Sequence, residues 1–364
     1  MAAAVSDAER AFTTSEDVWA AQDTTPEEIA AALRELLHRR TMEAGGYAPA
    51  RVLNMVAIVD REWKGEIMNR LDQVGRYHAS RTVVCAVEPG RTKLDAWASI
   101  AAPVAPQPGK LAVVHEEVEI DVGPQHLARL DTIVDPVLVN DLVTVVWSPH
   151  GHPEAIDALM RLAHVVLLDT VQEHDVHAAF NRVAELAENA YVVDLAWLRS
   201  TPWRERIAAT FDPKDMRPAL RQISGVTVRH QSESTAAALM LVGWMASRLG
   251  WKPSALIGRN GTLVGKASGR RQDVDVRLER HDEMSVPGLA GVTIETAHGL
   301  SESLDRGPGG LDAYRRTRDG REWRWKVLGA SRGEGGILGE GVRQALLRDP
   351  TYGPAVDAAR ALLS

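Results

Sequence analysis

Leu142-Val143-Thr144-Val145-Val146-Trp147 is a short apolar run rich in β-branched residues, and it opens a pattern that decides the fold. Residues 153–163 follow with helical spacing behind Pro153. Val165-Val166-Leu167-Leu168-Asp169 then returns to a strand pattern, and residues 176–188 to a helical one. Strand, helix, strand, helix in that order predicts a doubly wound α/β portion, because parallel neighbours need a crossover long enough to pack back on the sheet.

Working upstream, Thr25-Pro26-Glu27-Glu28 has the composition of a capping box with proline in the first turn, and it predicts a helix to about Arg40. Residues 52–60 read as a buried strand ahead of a short helix through Ile67, Met68 and Leu71. Residues 81–88 read as a strand whose hairpin partner, 93–101, lies across the turn Pro89-Gly90. In 114–122 the acids Glu117, Glu119 and Asp121 alternate with Val118, Ile120 and Val122, the pattern of a strand wet on one face, at an edge or on an outer face. Residues 1–24 are polar and weakly patterned, apart from Phe12 and Trp19, and predict a loosely held arm.

Downstream, a new strand at 192–198 follows the helix that ends near Asn189, which places a domain boundary at residues 190 and 191. Thr201-Pro202 is expected to cap a helix with Trp203, Ile207 and Phe211 on one stripe. A strand at 225–230 leads into an apolar helix at 235–250. Asn260-Gly261 and Asp319-Gly320 are hairpin signals in a sheet-rich half, and two helices close the chain. The expected fold class is α/β in two domains, each a mixed β-sheet flanked by helices, the second with a larger antiparallel part. The expected domains are residues 25–190 and 191–364, after the arm at 1–24.

The 364 residues are 45% hydrophobic and 25% charged with a net charge of −7, values of a globular chain that offers no electrostatic footprint for nucleic acid. The segment 235–251 carries Arg248 and is short for a bilayer span, and the first residues lack a secretory pattern, so no membrane partner and a cytoplasmic location are expected. The single cysteine, Cys85, lies in Val83-Val84-Cys85-Ala86-Val87 and reads as a buried core residue.

Few residues carry the pattern of a catalytic or cofactor site. There is no GxxxxGK[ST] loop and no GxSxG elbow. His115-Glu116-Glu117-Val118-Glu119 begins like a zinc motif but ends on Glu, and His150-Gly151-His152 lacks a third ligand, so no metal is expected. Gly333-Glu334-Gly335-Gly336, with Gly339 and Gly341 beyond, lacks GxGxxG spacing and places acids where a phosphate would sit; a flexible loop without a cofactor is expected. Two clusters remain. Arg199, Arg204 and Arg206 crowd a helix start with Trp203, where cations need compensation from Asp194 and Glu205 or from a partner's anion. Trp323 and Trp325 share one strand face, read as core, beside a basic patch of Arg315, Arg316, Arg318, Arg321, Arg324 and Lys326, suited to solvation or to docking an acidic surface. Ten Trp against three Phe is the unusual count, and tryptophan is an interface anchor as well as a core residue.

Asp194-Leu195-Ala196-Trp197-Leu198-Arg199-Ser200-Thr201-Pro202-Trp203-Arg204-Glu205 resembles a signature of the glucose-6-phosphate dehydrogenase assembly proteins called OpcA, found in actinobacteria and cyanobacteria. Leu241-Val242-Gly243-Trp244-Met245-Ala246-Ser247-Arg248-Leu249-Gly250-Trp251 resembles a helix of the same family. Weaker likenesses are Ala79 to Val84, Asp141 to Trp147, Leu338-Gly339-Glu340 and Asp349-Pro350-Thr351-Tyr352. Ser200 stands where the family usually has Leu, and 315–341 looks particular to this chain. The resemblance implies a non-catalytic accessory protein that binds glucose-6-phosphate dehydrogenase, promotes its active oligomer and activates it, feeding the oxidative pentose phosphate pathway and NADPH supply. The alternatives are an enzyme binding a sugar phosphate or NADP, and a metabolite sensor.

Overall fold

A computed structural model describes residues 14–43, 51–75, 80–103, 115–284, 286–328 and 334–364. The chain divides into two compact units, Met1–Leu167 and Leu168–Ser364. In both, a mixed sheet is flanked by helices, as the apolar patterning predicts.

The first unit begins with β1 (Thr14–Thr24) and α1 (Pro26–Glu43). The capping box is formed: the Glu28 N–H donates to Thr25 Oγ1 at 3.3 Å and the Thr25 N–H to the Glu28 carboxylate at 3.1 Å. Next come β2 (Leu53–Asp60), α2 (Lys64–Gly75), β3 (Ser80–Val87), β4 (Leu94–Pro103), β5 (His115–Val122), α3 (Leu130–Val134), β6 (Val143–Trp147), α4 (Pro153–Leu159) and β7 (Val165–Leu168). The strands lie in the order β1, β4, β5, β3, β2, β6, β7. From β5 to β7 the pairings are parallel, and β2, β3 and β6 are buried almost throughout, which is why they read as continuous apolar runs.

Three expectations are corrected here. Residues 93–101 are not the hairpin partner of β3. β5 lies between them, parallel to β3 and antiparallel to β4, so its wholly buried Val118, Ile120 and Val122 fill the interior place. β5 is therefore neither an edge nor an outer strand. Residues 14–24 of the expected arm form β1, which pairs along β4 from Thr14 opposite Pro103 to Thr24 opposite Leu94; residues 1–13, with Phe12, lie outside the described residues.

The second unit contains α5 (Val176–Ala187), β8 (Tyr191–Asp194), α6 (Leu195–Arg199), α7 (Thr201–Phe211), β9 (Ile223–His230) and α8 (Thr235–Leu249). The strands β10 (Lys252–Pro253), β11 (Ile257–Arg259), β12 (Thr262–Ser268), β13 (Asp273–Arg280), β14 (Leu289–Thr296), β15 (Ser301–Gly307), β16 (Gly310–Arg316) and β17 (Glu322–Leu328) follow. The chain closes with α9 (Glu334–Leu347) and α10 (Tyr352–Ala361). A nine-stranded sheet runs β10, β12, β13, β9, β14, β15, β16, β17, with β11 paired to β12. β13 is parallel to β9 and the other pairings are antiparallel, the larger antiparallel part that the hairpin signals predict.

The apolar α8 packs on β9 and β13 and crosses α10. The crossing needs a glycine: a Cβ at Gly243 would lie 2.2 Å from the Ala355 carbonyl oxygen. Asn260 and Gly261 adopt φ of 48° and 77°, as a type I′ turn requires. At the second hairpin only Gly320 has positive φ, and the Thr317 N–H donates to the Arg321 carbonyl at 3.0 Å across a three-residue loop. The strand expected at 192–198 stops at Asp194, whose carboxylate accepts from the Ala196 N–H at 2.9 Å and starts α6 instead. The expected flexible glycine loop is also corrected: Gly335, Gly336, Gly339 and Gly341 lie within α9, whose buried Ile337, Leu338 and Val342 outweigh the low helix propensity of glycine. Gly333 lies outside the described residues.

Candidate functional site

The stretch from Asp194 to Arg204 folds as the end of β8, the short α6 and the start of α7, so its polar groups converge on one another. Asp194 is fully buried. Its carboxylate accepts from Thr170 N–H at 3.2 Å, Thr170 Oγ1 at 2.8 Å, Ala196 N–H at 2.9 Å and the Tyr352 hydroxyl at 3.3 Å. Burial, reinforced by the nearby Asp169 charge, pushes this carboxyl up to about 7 although the Thr170 and Ala196 hydrogen bonds oppose the shift. Ser200, not the expected Thr201, takes the N-cap position of α7, without a side-chain cap.

Arg204 is 8% exposed. Its guanidinium lies 3.5 Å from the Trp197 ring centroid and donates to Ser200 Oγ at 3.1 Å, Trp197 O at 3.2 Å and Thr201 Oγ1 at 2.9 Å. Asp349 stands 3.6 Å away and accepts from the Trp197 indole N–H at 2.9 Å. Burial lowers the Arg204 pKa to about 10 against the pull of Asp349. Arg199 reaches Asp169 at 2.7 Å, Trp203 is buried, and Arg206 is half-buried. Arg199 is therefore paired with Asp169 and Arg204 with Asp349; of the two acids expected from the sequence, Glu205 adds its field at Arg204, whereas Asp194 is held by Thr170, Ala196 and Tyr352. Trp197 and Asp349 are 152 residues apart, and nothing in their spacing signals that they meet. What could have suggested it is that both belong to segments resembling one family.

The second cluster is open to solvent. Trp323 and Trp325 are 45% and 38% exposed, which corrects the expectation that they are core. Arg315 pairs with the buried Glu302 and lies over the Trp325 ring at 5.7 Å, while Arg324 lies over the Tyr314 ring at 5.2 Å. Arg316, Arg321 and Arg324 are exposed, and Arg321 is 3.0 Å from Asp319. The structure thus gathers Arg315, Arg316, Arg321 and Arg324 on two adjoining strands and their loop, and Arg199, Trp203, Arg204 and Arg206 on α6 and α7.

In the first unit, His152 adopts φ 50° and contacts Asp60 at 2.9 Å, while His150 Nδ1 accepts from the Asp60 N–H at 3.1 Å. These histidines hold a loop against a strand end. Burial pushes the Cys85 thiol up to about 12. Glu117 is pushed up to about 7 by burial and by Asp72, Glu119 and Glu16, and its Oε1 is buried without a hydrogen-bond donor. Among the described residues no group of three or more His, Cys, Asp or Glu could hold a metal ion, and no helix is long and apolar enough to cross a membrane.

Comparison with known proteins gives matches in both halves. Two family models, both described by the words "Glucose-6-phosphate dehydrogenase subunit", match in order: the one for its N-terminal domain over residues 71–185, and the one for its C-terminal domain over residues 190–355. The chain is 25% identical over 202 residues to a protein of Synechococcus elongatus named OpcA for the OxPP cycle, covering 54% of this chain and 45% of that one. It is 27% identical over 206 residues to a Nostoc punctiforme protein of the same name, covering 55% and 43%. The matched stretch thus spans less than half the length of these relatives. A super-repressor mutant of Gal80p from Saccharomyces cerevisiae superposes at a TM-score of 0.47 with 8% identity, over 83% of this chain and 87% of that one, a likeness too slight to carry an argument.

Proposed function

Because the chain belongs to the OpcA family of glucose-6-phosphate dehydrogenase assembly proteins, we propose that it binds glucose-6-phosphate dehydrogenase, promotes its active oligomer and activates it. The single observation that carries this reading is the pair of family matches, in order, over residues 71–355. The geometry supports it in one respect: the signature stretch is spent on an internal node, and the exposed tryptophans and cations sit on a separate surface open to a partner.

In this reading the chain contributes binding energy and the dehydrogenase contributes the chemistry, in the cytoplasm, raising flux into the oxidative pentose phosphate pathway and NADPH supply. An activator must bind the active state better than the inactive one, and about 1–3 kcal/mol of such coupling shifts affinity many-fold. The division into domains at residues 25–190 and 191–364 is part of the proposal: the two family matches meet between residues 185 and 190, whereas the compact units divide earlier, between Leu167 and Leu168.

The test is to add the purified chain to the dehydrogenase of the same organism at low glucose 6-phosphate. A higher rate with a larger oligomer by sedimentation is expected. An unchanged rate and unchanged apparent substrate affinity would refute the reading.

A further inference from the structure

β17 is the last strand of the nine-stranded sheet, and its far edge has no strand partner among the described residues. An edge strand presents backbone N–H and C=O groups that can pair with another chain. Trp323 stands opposite Arg315 and Trp325 opposite Ala313, which in turn face Glu302 and Leu304 on β15. Ala313, Leu304 and Glu302 are buried. The indoles therefore stand on the inner face of the sheet, at the place where that face runs out into solvent. Exposed indole area of this kind is the usual anchor of a protein interface. The other face of β17 carries Glu322, Arg324 and Lys326, all exposed, with Arg324 3.9 Å from Glu322 and Lys326 3.8 Å from Asp312. Residues 310–328 hold six basic and three acidic residues in a chain whose net charge is −7.

We infer that β17 takes up an extended segment of a protein partner as a further strand, with apolar side chains against Trp323 and Trp325 and acidic ones against Arg324 and Lys326. The inference rests on the reading of this chain as a dehydrogenase-binding protein and assigns the surface used. The alternation follows from the two-residue period of a strand, which sends successive side chains to opposite faces. Backbone pairing supplies the affinity, and the two faces supply selectivity. Charge argues for an acidic partner over a second copy of this chain. Two β17 edges in parallel register would bring both Arg324 and Lys326 against their own counterparts, and an antiparallel pairing centred on Arg324 would still set the two Arg324 side chains against each other, although Lys326 would then face Glu322; a segment with acids at both places meets no like charge.

The experiment uses the full chain and the dehydrogenase of the same organism, and measures activation, salt dependence and backbone hydrogen exchange. The variants are R324E/K326E, at exposed positions and expected to melt near the parent, and W323S/W325S, which removes half-covered rings and is therefore compared per folded molecule below its own melting transition. The half-maximal concentration for activation is expected to rise at least about tenfold in W323S/W325S. R324E/K326E is expected to bind more slowly at low salt, with the slowing of association by added salt abolished or reversed in sign, because salt then screens a repulsion. Exchange at Glu322, Arg324 and Lys326 of the unaltered chain is expected to slow on complex formation. Activation by the unaltered chain that neither variant changes, with no slowing of exchange, overturns the surface and leaves the dehydrogenase reading standing. Absence of any association overturns both. Self-association of the chain alone that protects β17 and disappears in the variants overturns the acidic partner in favour of a second copy.

Discussion

The Arg204 guanidinium lies 3.5 Å above the Trp197 ring, and the same indole donates its N–H to Asp349, which flanks Arg204 at 3.6 Å. Asp349 thus supplies the countercharge of a cation buried near the start of α7, while Trp197 stabilises that cation through its ring face and orients Asp349 through its N–H. Replacing Arg204 by Met keeps much of the volume and leaves Asp349 without its countercharge. Stability is expected to fall by about 3 kcal/mol, as for other broken buried pairs, read as a lower denaturant midpoint. Arg204→Lys recovers little of it, because an ammonium cannot stack as a plane while donating to Ser200, Trp197 and Thr201. Dehydrogenase activation per folded molecule is expected to stay at the parent level at temperatures where both variants are folded.

Glu117 carries a pH signature. Its folded-state pKa, about 7, lies above the ordinary value of 4.5, so the folded chain keeps a proton that the unfolded chain has released. The stability it contributes is therefore full below the unfolded value and declines as pH rises from about 4.5 to about 7. Glu117→Gln removes the titration. Urea unfolding across this range should show a flatter profile, with the variant the more stable of the two above pH 7 and the two chains converging in the acid limb.

Gly243→Ala tests the crossing of α8 over α10. The added methyl would meet the Ala355 carbonyl at 2.2 Å and the Ala359 nitrogen at 2.9 Å, both backbone atoms that cannot rotate away. The helices must separate, and overpacking of this kind costs about 1–3 kcal/mol despite the better helix propensity of alanine. Thermal unfolding should show the loss, whereas Gly353→Ala, where nothing lies within 4 Å of the added atom, should not.

Cys85 offers a readout of opening. It is wholly buried in β3, with its thiol held up at about 12, so little nucleophilic thiolate exists in the folded chain. A thiol reagent at pH 8 is expected to label it at the rate at which the first unit opens. Rapid labelling under native conditions would show that the strand is accessible.

The strand and helix patterns were legible because each follows from local periodicity. Continuous apolar runs at 53–60 and 143–147 mark strands buried on both faces, Thr25 to Glu28 carries its own cap, and Asn260-Gly261 its own turn. The sequence by itself therefore determined the α/β class, the mixed sheets and the family. Strand neighbours are another matter. Whether β3 pairs with β4 or with β5 depends on which apolar face fills the interior place, and local spacing does not carry that information. The same holds for Trp323 and Trp325. Period two puts them on the inner face of a sheet, but only the tertiary structure shows that the cover of that face ends before β17. The meeting of Trp197, Arg204 and Asp349 was likewise decided by the folded chain, since desolvation and Coulomb attraction act through space, and sequence records only order along the chain.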